Sequence, residues 1–168
     1  MAKIKSTLDI VMERTKNLTM TQDDRDALNK RELSDRIRGW VQMLVDDKYT
    51  IDELKAACDG ESVHAPEVMD MLRSELLGHI DPDLGNESVL KAYRDILGLE
   101  NGPILEAIES YRRSMDQSIA EHRQRLLGTL AASGVSGTAI LPNIWSDPAW
   151  QAFSKHLKES FRQSLQEG

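Results

Sequence analysis

Between the Asn101-Gly102 pair and Gly134, mainly apolar residues recur at positions 104, 108, 111, 115, 119, 122, 126 and 130. The mean step is about 3.7 residues, the period of an unsupercoiled amphipathic helix. Pro103 suits a first helical position, where its missing N–H is no loss, and Gly134 can take the left-handed conformation that closes a helix. The pattern predicts one helix over 103–133, roughly 45 Å long at 1.5 Å per residue. A folded domain of this chain length should be only about 40 Å across. The helix must therefore cross the whole domain, bend, or project and pair with another chain.

The rest of the chain has the same helical punctuation. Ser6 can cap a helix to about Asn17, with Leu8, Val11, Met12, Thr15 and Leu18 on one side. Thr21 caps the next, over about Gln22–Asp47. Its start is almost wholly polar, and a stripe appears only at Leu33, Ile37, Trp40, Val41, Leu44 and Val45. Thr50 and Glu53 form a capping box for a short helix ending near Asp59-Gly60. Pro66 opens a helix to about Gly78, with Val68, Met71, Leu72 and Leu76 inward. Asp81–Asn86 reads as a loop by its turn chemistry, and Asn86 as the cap of a helix carrying Leu90, Tyr93, Ile96 and Leu97 that ends at Gly98. After the long helix, GVSGTAILPNIWSDPAW is too rich in Gly and Pro to be one. Asp147-Pro148 starts a last helix striped by Trp150, Phe153, Leu157, Phe161 and Leu165. The expected fold is all-α: an irregular helical bundle of about seven helices organised on 103–133, with no strand. It forms one domain over 1–168, with a finer division into lobes at 1–98 and 103–168.

Charge narrows the function classes. The net charge is −7, and residues 1–84 hold 12 basic against 18 acidic side chains while residues 85–168 hold 9 against 10. An acidic chain is repelled by phosphate backbones unless its cations cluster, which disfavours nucleic acid. The single cysteine, Cys58, excludes an internal disulfide and suits a reducing compartment. The start lacks the charged-then-apolar form of a secretory signal, and no stretch of about 18 apolar residues could span a membrane. The expected location is the cytoplasm, with no membrane partner.

Candidate chemistry is sparse. Of the histidines, His64, His79, His122 and His156, His79 stands one helical turn from Glu75 and could share a metal with it. A closed metal site needs three or four convergent ligands, so surface or satisfied interior histidines are expected, with no metal and no cofactor. Asp81, Asp83 and Glu87 open like a calcium loop, but Gly85 stands fifth and Ala92 twelfth, where oxygen ligands belong. Cys58 and His64 suggest a thiolate–imidazole pair, yet Cys58 falls at a helix C-terminus, which disfavours a thiolate. Residues 50–73 imitate a helix-turn-helix, with Ala56 and Gly60 at its usual offset. Its second helix would offer Pro66, Glu67 and Asp70 to the groove, with only Arg73 basic. Arg112, Arg113, Arg123 and Arg125 make the long helix locally basic, and Glu109–Arg113 and Glu121–Arg125 have the spacing of ion pairs. Gly128, Gly134 and Gly137 lack the Gly-Lys-Ser/Thr of a phosphate loop.

The remaining feature is the apolar, non-helical group Ile140, Leu141, Ile144 and Trp145, joined by Trp150. Such a segment either seals the core or meets a partner, and these five residues are the interaction candidates. KIKSTLDIVMERTKNLT at the start, with SGTAILPNIWSDPAW, resembles a small family of uncharacterised bacterial conserved hypothetical proteins. The resemblance implies an all-helical bacterial protein over most of the chain, and no activity or functional residue. The expected function is a non-catalytic interaction or assembly module that self-associates as a homodimer, with another protein as a further partner. The alternatives are a metal-dependent helical enzyme using Glu75, His79 and a distant carboxylate, and a helix-turn-helix-like nucleic-acid-binding regulator.

Overall fold

The computed structural model describes residues 21–61, 65–135 and 137–167. Among them stand six α-helices, one 3-10 turn and no strand: α1 (Gln22–Val45), α2 (Ile51–Asp59), α3 (Ala65–Gly78), α4 (Glu87–Leu97), α5 (Gly102–Ala132), the turn Ile144–Ser146, and α6 (Pro148–Glu167). The expectation of about seven helices counted one at Ser6–Asn17, which lies outside the described residues.

Local chemistry sets the boundaries. Thr21 caps α1 in a capping box with Asp24, and Thr50 caps α2 in one with Glu53. Gly98 closes α4 at φ 67°, a conformation that costs other residues about 1–2 kcal/mol. Asn86 stands at the head of α4 but does not cap it. Its side-chain oxygen accepts from the Asp81 N–H at 2.9 Å, and its amide donates to the Asp81 carbonyl at 2.8 Å. The side chain ties the preceding loop into a ring instead.

One cluster of buried side chains draws on all six helices. Leu33, Ile37, Val41 and Leu44 of α1 meet Leu54 and Cys58 of α2 and Val68, Leu72 and Leu76 of α3. Val89 and Tyr93 of α4, Ile104, Ile108 and Tyr111 of α5, and Phe161 and Leu165 of α6 complete it. The polar start of α1 is exposed up to Leu33, as its pattern predicts. Val45, expected in the α1 stripe, is 40% exposed. It follows Leu44 by 100° of turn at the helix end, so only one of the two can face inward.

α5 is continuous over 31 residues, about 46 Å. Its first three turns belong to the main core; the rest runs on beyond, accompanied by α6. Two aromatic contacts set the pairing: Tyr111 lies 5.5 Å from Phe161 and His122 lies 5.5 Å from Trp150, between ring centroids. Eleven residues forward on α5 match eleven backward on α6, so the two helices form an antiparallel hairpin in constant register. Both halves of the chain contribute to the main core, while the far end of the hairpin carries a small second one around Trp150.

Candidate functional site

The distal end of the α5–α6 hairpin holds all five interaction candidates, and the structure divides them. Ile144 and Trp150 are 2% and 1% exposed: the chain's own packing takes them up, so neither lies on a surface. Ile140 is half-buried. Leu141 and Trp145 are 86% and 62% exposed. The division follows from the 3-10 turn. Ile144 drops onto the hairpin while the next residue, Trp145, faces out, and the Asn143 side chain accepts the Trp145 N–H at 3.2 Å to hold that geometry. Trp145 meets Trp150 edge-on at 5.7 Å, and Phe153 lies 5.6 Å from Trp150 with its ring tilted. Phe153, expected to be inward with the rest of its stripe, is partly exposed, as is Val135 at the start of the linker from α5. The tip is thus a buried tryptophan flanked by two aromatic rings, Trp145 and Phe153, that remain partly in solvent.

One polar contact fastens this tip. His122, only 6% exposed, places Nε2 2.8 Å from Oδ2 of Asp147. The other carboxylate oxygen, Oδ1, accepts the Ala149 N–H at 2.9 Å and so caps α6. The Ala149 N–H foremost, then His122, and also Arg125 nearby hold the Asp147 carboxyl below the usual carboxylate range. Asp147 therefore joins α5, the turn and α6 in one residue. His122 is an interior histidine with a partner, as expected of that residue type. Its position on the apolar stripe is legible in the sequence, but a partner 25 residues away follows from no spacing rule.

The other sequence candidates resolve differently. Glu75 Oε1 does lie 3.5 Å from His79 Nε2, but the third group at that oxygen is Arg38 Nε at 3.6 Å, a cation where a metal ligand would have to be. Among the described residues no group of three His, Cys, Asp or Glu side chains converges for a metal. The Asp81 and Asp83 carboxylates converge on Lys158 of α6 instead, with Nζ 2.9 Å from Asp81 and 3.0 Å from Asp83. Burial alone would raise the Asp81 carboxyl; the Asp83 N–H and Lys158 more than offset it and hold it below its ordinary value. Arg112 donates to the Pro82 carbonyl at 2.9 Å, so this loop is held by both helices of the hairpin. The Glu121–Arg125 pairing expected from spacing is not made: Glu121 accepts from Gln117 at 2.9 Å.

Cys58 is buried, and that burial, with Asp59 beside it, pushes its thiol up to about 11, far from a nucleophile's range. His64 lies outside the described residues. In the helix-turn-helix imitation, α3 buries Val68, Leu72 and Leu76 completely and leaves Glu67 and Asp70 in solvent. Arg73 is directed to the Tyr93 hydroxyl at 3.4 Å. An open depression of about 650 Å³ lies where the end of α1, the start of α2 and α4 meet. Its rim alternates Asp52, Lys55, Glu87, Lys91 and Asp95, a mixed-charge surface with no nucleophile–base pair. No described helix is long and apolar enough to cross a membrane.

Comparison with known proteins adds no relative: no family model, no curated protein and no solved structure matches the chain.

Proposed function

We propose that this chain is a non-catalytic interaction or assembly module that self-associates as a homodimer, acting through the distal half of the α5–α6 hairpin. The observation that carries the reading is the division of the 140–145 segment. Ile144 is buried, yet Leu141 and Trp145 stay exposed, and Trp145 and Phe153 both lie against the buried Trp150. Clustered exposed groups of this kind are typical of contact surfaces, where a tryptophan buried on association is a common anchor. A hairpin continuing past its core to present them is a costly shape unless something lies against it. The bacterial, cytoplasmic setting suggested by the resemblance agrees with such a role and adds no detail to it.

The test is the mass in solution. The monomer is 18.9 kDa, and sedimentation at micromolar concentration is expected to give twice that. Trp145→Ala should weaken association more than it lowers the melting temperature. A clean monomer at these concentrations, or a Trp145→Ala protein whose loss is all in stability, overturns the reading.

A further inference from the structure

The register of the hairpin shows where its apex lies. Tyr111 pairs with Phe161 and His122 with Trp150, so Pro148, the first residue of α6, is level with Gln124. The last eight residues of α5, 125–132, therefore run about 12 Å past the start of α6. From Leu126 to Ser146 this apex has no charged side chain; at the chain's 29% charged, its 21 residues would hold about six. Of the described residues in that stretch Ile144 alone is buried, and Val135, Leu141 and Trp145 are well exposed.

An exposed, charge-free apex suits a lipid surface, because an ionic group carried below the headgroups costs free energy. Charge resumes at Arg125 and Arg123, both exposed, about 10 Å and 13 Å back from the end of α5. Interfacial segments sink about 5–10 Å into the boundary of headgroups and acyl chains, which sets both guanidinium groups among the phosphates. Glu121, spaced to pair with Arg125, accepts from Gln117 instead. Asp147 is engaged by His122 and the Ala149 N–H. Trp145 packs on Trp150, level with His122 and so beside the arginines, and headgroup level is where tryptophan is enriched in membranes.

Charge also sets the direction of approach. Residues 51–101, in the main core, hold 12 acidic against 4 basic side chains. An anionic surface repels that end and draws the arginine-flanked apex. Area separates lipid from a second copy. End-on, two packed helices present roughly 20 Å by 10 Å, about 200 Å², against about 800 Å² per partner for a stable protein interface. A second copy has to use the flanks of the hairpin, whereas a bilayer can receive the end alone.

We propose that the apex of the α5–α6 hairpin seats in an anionic lipid surface, with Val135 and Leu141 below the headgroups and Trp145, Arg123 and Arg125 among them. Such seating asks for no spanning segment. It goes beyond self-association, and a copy seated on lipid cannot also bury Trp145 against a partner.

The full chain is to be mixed with phosphatidylcholine vesicles that contain either no phosphatidylglycerol or about one third of it. It should co-sediment with the anionic vesicles, with a blue shift of tryptophan emission, and bind the neutral ones at least about fivefold more weakly. Leu141→Glu, at a fully solvated position, should lower partition at least about tenfold with the melting temperature unchanged. Arg123→Gln and Arg125→Gln should each lower it about fivefold. Failure to bind anionic vesicles overturns the proposal, and so does a Leu141→Glu protein that binds like the parent. Equal binding to both vesicles, with the arginine variants unaffected, overturns the anionic surface. Sedimentation without lipid reads self-association separately: a monomer that binds vesicles removes the earlier reading and keeps this one, and a dimer that never binds them does the reverse.

Discussion

The main core and the tip are built from the same materials and end differently. In the main core, each apolar stripe meets another: α3, whose Leu72 is wholly buried, packs against α1, α2, α4 and α6. At the tip, among the described residues, only α5, α6 and one 3-10 turn are present to enclose Trp150. Two helices and a turn can surround one indole, but they cannot also cover the groups that surround it. Leu141, Trp145 and Phe153 are what remains outside. A helical stripe is satisfied in proportion to the number of neighbours the topology brings to it, and the hairpin's far end outruns its neighbours.

That contrast can be broken at either end. The largest effect is expected from Leu72→Ala, which opens a cavity where nothing can collapse: about 2–5 kcal/mol of stability lost, read as an early denaturant midpoint with self-association kept wherever the protein stays folded. Lys158→Ala, which releases the Asp81–Asp83 loop from α6, should cost about 1 kcal/mol, because all three side chains are partly solvated. Its effect on the melting temperature should shrink in high salt. His122→Ala removes the tip's latch but not the Asp147 cap on α6. The expected result is a red shift of tryptophan emission, with a smaller change in melting temperature than Leu72→Ala produces. Because the Asp147 carboxyl is held below its unfolded value, its contribution is complete above about pH 4 and is lost as pH falls through the lower folded value. In Asp147→Asn that acid dependence should flatten. Trp145→Ala is expected to change stability least, by under about 0.5 kcal/mol as for an exposed side chain, while weakening association most. A large stability loss there would mean that the tip is core after all.

The helices were legible because their signals are local. Capping boxes at Thr21 and Thr50, the Gly98 stop, the polar run before Leu33 and the stripe on α5 each act over a few residues, and the observed boundaries follow them closely. The failures have one character. Asn86 looks like a cap and instead braces a loop; Glu121 has a spaced partner in Arg125 and binds Gln117; Asp81 and Asp83 look like cation ligands and receive Lys158. In each case several partners were chemically acceptable, and spacing along the chain does not choose among them. The five interaction candidates were found as one apolar group, and nothing in that group's composition distinguishes Ile144 from Trp145.

By itself the chain determined its periodicities and its stops: an all-helical fold and one helix too long for a domain of this size. Those properties depend on backbone hydrogen bonding and on which side chains share a helix face, both set within a turn or two. The antiparallel register of the hairpin, the His122–Asp147 latch and the division of residues 140–150 into buried and exposed belong to the tertiary structure alone. The register and the latch depend on distances between groups 25 or more residues apart, and the division depends on which side of the 3-10 turn meets the hairpin, all of which exist only once α6 has folded back along α5.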